Sequence, residues 1–97
     1  MATLPFDTTA LINICRANDV VMVGIFGSIA RGEATPESDI DLLVRFAKPK
    51  SLLKLVALER ELATALGKPV DLVTESSLHP YLRHHVLRDL QVVYETQ

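Results

Sequence analysis

The run Val20-Val21-Met22-Val23-Gly24-Ile25-Phe26 is apolar throughout, rich in β-branched side chains, and halted by Gly27-Ser28. A half-exposed strand alternates apolar and polar residues, so an unbroken apolar run of this length predicts a strand covered on both faces. It is far too short to span a membrane. Upstream, Leu11, Ile12, Ile14 and Cys15 follow the candidate N-caps Asp7, Thr8 and Thr9 and predict a first helix ending near Asn18. Downstream, a turn of helix through Arg31 leads into residues 32–38, whose Gly, Thr, Pro and Ser are loop chemistry. Residues 39–46 then resume β character as a second strand.

Ser51 is a candidate N-cap for a helix with Leu52, Leu53, Val56, Leu62, Ala63 and Leu66 at helical spacing. Gly67 followed by Pro69 ends it, because glycine accepts a left-handed conformation and proline cannot continue the hydrogen-bond ladder. Residues 70–73 predict a third strand, 78–90 a helix with Pro80 in its first turn, and 91–95 a short last strand. This order predicts an α+β fold with α/β-like alternation, a small mixed β-sheet of about four strands flanked by helices. The ten residues between Ser28 and Asp39 are short for a parallel crossover, which favours the mixed sheet.

Ninety-seven residues suffice for one domain, residues 1–97, that buries about two thirds of its unfolded surface. With 48% hydrophobic residues the chain is not of the disordered class. Ten Lys+Arg against 12 Asp+Glu give a net charge of −2, too little positive charge to hold nucleic acid directly. Cys15 is the single cysteine, so an intrachain disulfide and a Cys-rich zinc site are excluded and a reducing, cytoplasmic compartment is expected. No targeting segment is visible near Met1, and no membrane association is expected.

Three aspartates need a reason. Asp39 and Asp41 are two apart at the second strand, so their side chains leave one face, roughly 6.5 to 7 Å apart along the chain. Like charges at that spacing raise each other's pKa unless a cation compensates, and ionised carboxylates are the hard oxygen ligands that Mg²⁺ prefers. Asp71, in Val70-Asp71-Leu72-Val73, puts a third acid in a strand that reads as otherwise buried and can face the same site. An aspartate at a strand end is usually a turn or cap residue, but strand propensity offers no reason for Asp41 or Asp71. Three acids on one face suit a two-metal site.

Gly27-Ser28 supplies a complementary part. A strand that stops at Gly-Ser and opens a helix presents backbone N–H groups, a hydroxyl and the positive end of a dipole to a phosphate. Neither GxxxxGK[ST] nor GxGxxG occurs, so P-loop and Rossmann chemistry is excluded, and Phe26-Gly27-Ser28-Ile29-Ala30 is no GxSxG nucleophile elbow.

Gly27-Ser28, ten residues, then Asp39-Ile40-Asp41 is the GSx10DxD pattern, and with it the chain resembles the nucleotidyltransferase superfamily of DNA polymerase β type. It is most similar to the minimal nucleotidyltransferase antitoxins, through Phe26-Gly27-Ser28, Ala30-Arg31-Gly32-Glu33, Ser38-Asp39-Ile40-Asp41-Leu42-Leu43-Val44 and Val70-Asp71-Leu72-Val73. The likeness spans nearly the whole chain, including Leu66-Gly67-Lys68-Pro69 and Val93-Tyr94-Glu95. The resemblance implies the nucleotidyltransferase fold and transfer of AMP from ATP to a hydroxyl. In it Asp39, Asp41 and Asp71 hold two Mg²⁺ ions, Asp71 can take the proton of the attacking hydroxyl, and Gly27, Ser28 and Arg31 hold the nucleotide. It also implies a partner, a HEPN RNase toxin whose tyrosine receives AMP and is thereby silenced. The small chain leaves no acceptor domain, which agrees with a protein partner. The alternatives are an antitoxin that neutralises by contact alone and an enzyme acting on a small hydroxyl compound of the antibiotic kind.

His79, His84 and His85 lack metal-ligand spacing, and His84 and His85, with Arg83 and Arg88, read as a polar helix face. Cys15 lies on an apolar stripe and reads as core. Tyr81 and Tyr94 read equally as core edges or interface anchors.

Overall fold

The computed structural model describes residues 4–96. Helix α1 (Thr8–Ala17) starts where the Asp7 carboxylate accepts the N–H groups of Thr9 and Ala10 at 2.9 and 3.1 Å, two donors the helix itself cannot satisfy. Strand β1 (Val20–Phe26) runs directly into α2 (Gly27–Ala30), a single turn. Strand β2 (Ile40–Phe46) is followed by α3 (Leu52–Leu66), which Ser51 caps and Gly67, at φ 71°, terminates. Strand β3 (Val70–Thr74), a 3₁₀ turn (Glu75–Ser77), α4 (Pro80–Asp89) and β4 (Gln91–Glu95) complete the order.

The strands form one sheet in the order β3-β2-β1-β4, with β2 and β4 antiparallel to β1 and β3 parallel to β2. Alternation divides the two faces. Val23 and Ile25 of β1 and Ile40, Leu42 and Val44 of β2 join Leu11 and Cys15 of α1 and Leu58, Leu62 and Leu66 of α3 in the core. Each such buried aliphatic side chain contributes about 1.5–3 kcal/mol. Burial also pushes the Cys15 thiol up to about 12, so it stays protonated. On the other face, Gly24 leaves room for the Leu90 side chain, which a Cβ at residue 24 would meet at 2.5 Å. That is how the end of α4 comes to lie over β1.

Three details differ from expectation. The apolar face of α3 is Leu58, Leu62 and Leu66, whereas Leu52, Leu53 and Val56 are exposed, because the first turns of the helix extend past the core. Helix α4 begins at Pro80, not 78. The imidazole Nδ1 of His79 accepts the Tyr81 N–H at 3.1 Å and caps it, and proline fills the first position, where no N–H is needed. Third, β3 is an edge strand and Asp71 is exposed rather than enclosed by a buried strand. The edge is partly closed by Glu59 of α3, whose carboxylate accepts the Leu72 N–H at 2.9 Å. Among the described residues no helix is long and apolar enough to cross a membrane.

Candidate active site

The sheet topology assembles one acidic edge. Because β2 is antiparallel to β1, Asp41 near its start pairs with Phe26 at the end of β1, beside Gly27-Ser28. Because β3 is parallel to β2, Asp71 near its start pairs with Asp41. Asp39 stands one residue before β2, in the exposed loop that leads into it. Residues far apart in sequence thus meet at the ends of three adjacent strands, with Asp41 between the Gly27 turn and Asp71.

Gly27 is doubly constrained. It adopts φ 76°, a region that penalises any side chain, and a Cβ there would collide with the Asp41 carboxylate, whose Cγ would lie 3.0 Å away. The carboxylate therefore packs directly on the backbone of the turn. Asp41 is half-buried, and its pKa is raised, first by desolvation and then by the charges of Asp71 and Asp39, with Arg31 opposing them. Helix α2 is only four residues long, so its dipole adds little and the unpartnered N–H groups of its first turn are what it offers an anion.

Arg31, the C-cap of α2, donates from Nε to Glu33 Oε2 and from Nη1 to Asp89 Oδ2, each at 3.1 Å. Asp89 is the residue that sequence reasoning missed. It ends α4, where a carboxylate opposes the helix dipole, and an acid at such a position signals a compensating cation from elsewhere. His84 and His85 lie exposed on α4 with their rings 5.9 Å apart.

Among the described residues no three His, Cys, Asp or Glu side chains already close into a ligand set. Asp39, Asp41 and Asp71 nevertheless fit a divalent cation by donor chemistry. They offer hard carboxylate oxygens, and both the desolvation that chiefly raises the Asp41 pKa and the added repulsion from Asp71 and Asp39 are costs of a charged Asp41 that such an ion would offset. A cavity of about 650 Å³ opens elsewhere, between the far ends of β2 and β3 and lined by Arg45, Phe46, Lys50, Leu55, Thr74 and Ser77. Four residues along β2 separate Asp41 from Arg45, roughly 13 Å.

A mixed four-stranded sheet flanked by helices, with acids and a Gly-Ser turn at one end, defines the nucleotidyltransferase fold. The chain belongs to the nucleotidyltransferase domain family, whose profile matches residues 9–93. It is 50% identical over 72 residues to the protein adenylyltransferase MntA of Thermococcus cleftensis, covering 74% of this chain and 71% of that protein. A crystal structure of a toxin-antitoxin with AMP-PNP superimposes with a TM-score of 0.84 at 29% identity, covering 94% of this chain and 75% of the other. A structure of tri-AMPylated Shewanella oneidensis HEPN toxin in complex with MNT antitoxin gives 0.74 at 27% identity, covering 93% and 71%.

Proposed function

We propose that this chain is a Mg²⁺-dependent protein adenylyltransferase that acts as an antitoxin, transferring AMP from ATP to a tyrosine hydroxyl of a HEPN toxin in the cytoplasm. The observation that carries the chemistry is the packing of Asp41 between the Gly27 turn and Asp71, which places a carboxylate cluster against a backbone suited to phosphate. The relative named as a protein adenylyltransferase and the neighbours that hold AMP-PNP or an AMPylated HEPN toxin support the nucleotide and the partner.

In this reading Gly27 and Ser28 offer backbone N–H groups and a hydroxyl to the triphosphate, and Arg31 adds guanidinium donors. Asp39, Asp41 and Asp71 would hold two Mg²⁺ ions, which would supply charge neutralisation at the reacting phosphate and the leaving pyrophosphate. The acceptor oxygen forms a bond to the α-phosphorus as the bond to the pyrophosphate oxygen breaks. Asp71 accepts the proton of the attacking hydroxyl, a role that suits its exposed place on an edge strand, open to an incoming side chain. A protein partner brings its own surface to the exposed Asp71, about 800 Å² per side in a specific pair.

Incubation with a HEPN partner and ATP labelled at either the α- or the γ-phosphate tests this. The α-label is expected on the partner and the γ-label in free pyrophosphate, with no transfer in EDTA. Neutralisation of the toxin with neither label transferred would contradict the reading and establish a contact antitoxin.

A further inference from the structure

Arg31 and Asp89 are 58 residues apart in sequence yet joined at 3.1 Å, and they connect α2 to the end of α4. The Asp89 side chain is only 16% exposed, so its charge needs a close partner; Arg31 provides it, while Arg88 stands further off at 3.6 Å. A second bond joins the same segments, from Gln91 Nε2 to the Ala30 carbonyl at 2.8 Å. Helix α4 buries no residue fully, so polar ties and Leu90 over Gly24 account for much of its attachment here.

The two carboxylates on Arg31 differ in kind. Glu33 is two residues away on the same loop and 65% exposed, so it moves with Arg31 and yields readily to another anion. Asp89 belongs to a different element and defines where the guanidinium stands. Five N–H donors less the two engaged leave three for a ligand. Arg31 also closes the turn that Gly27-Ser28 opens, its backbone N–H donating to the Gly27 carbonyl at 3.1 Å.

We propose that Asp89 is a positioning residue for the nucleotide site, holding the Arg31 guanidinium at the Gly27-Ser28 turn so that its free N–H groups meet phosphate oxygens. Seating of α4 and affinity for nucleotide are then coupled, and an incoming phosphate displaces Glu33 rather than Asp89. The inference rests on the assignment of Gly27, Ser28 and Arg31 to the nucleotide.

The test is the dissociation constant of the full chain for Mg²⁺ and AMP-PNP, measured by titration calorimetry beside the melting temperature. Asp89→Asn is expected to weaken binding about tenfold, as does Arg31→Ala, because each removes a charge-assisted hydrogen bond. Asp89→Glu is expected to restore most of the affinity, Glu33→Gln to leave it unchanged or tighter, and the melting temperatures to stay within a few degrees. Unchanged affinity in Asp89→Asn with a lowered melting temperature would overturn the proposal and make the pair a structural tie only. Equal loss in Glu33→Gln would overturn the distinction between the two carboxylates. Failure of the wild-type chain to bind AMP-PNP would overturn the nucleotide assignment itself.

Discussion

At the scale of single residues, Gly27 and Asp41 depend on each other. Gly27→Ala brings together a left-handed backbone and a methyl group against the Asp41 carboxylate, a strain of about 1–2 kcal/mol from the backbone alone. We expect at least a tenfold loss of AMP transfer with the fold retained, measured by label transfer beside circular dichroism. Asp41 carries a second prediction. Its folded pKa is raised, so the native state holds the proton more tightly than the unfolded chain, and stability falls as pH climbs from the ordinary Asp range through the raised value. The destabilisation is then fully present above the raised value. Asp41→Asn should melt higher than wild type at pH 7 in EDTA, and the gap should close in acid, below the ordinary Asp range. Added Mg²⁺ should raise the wild-type melting temperature and leave that of Asp41→Asn nearly unmoved; calorimetry across pH and Mg²⁺ reads both effects. Asp39 and Asp41 were legible in sequence because their spacing is local. Asp89 was not, because its partner lies 58 residues away and only the sheet brings them together.

At the scale of elements, the termini show which sequence cues carry physical weight. Val20–Phe26 and Gln91–Glu95 match the expected spans, and α3 starts and stops at Ser51 and Gly67, since caps act through the adjacent backbone alone. The buried face of α3 was less legible. Periodicity admits Leu52, Leu53 and Val56, but how far the helix extends past its neighbours is a tertiary matter. Leu62→Ala should therefore lower stability by about 2–5 kcal/mol, whereas Leu53→Ala should stay within about 0.5 kcal/mol, as denaturant unfolding would show. Strand β3 supplies another contrast. Its burial was expected from an apolar run, yet its place at the sheet edge exposes Asp71 and makes Leu72 depend on Glu59. Glu59→Ala leaves the Leu72 N–H without that acceptor and should lower stability by about 1 kcal/mol, with faster amide exchange at Leu72.

At the scale of the molecule, one antiparallel and one parallel pairing put the end of β1 and the starts of β2 and β3 on the same edge. The acids and the Gly-Ser turn could be proposed from spacing, but their juxtaposition follows from this strand order. A cavity of about 650 Å³ lies at the other end of the strands, away from the acidic edge. In the proposed reaction the acceptor arrives on the surface of a protein partner. The direct measurement is the intact mass of a HEPN partner after incubation with this chain, ATP and Mg²⁺, with Asp41→Asn in parallel. The account predicts a gain of one or more whole AMP units with the wild-type chain and none with the variant. A partner that binds the wild-type chain yet keeps its original mass would contradict it.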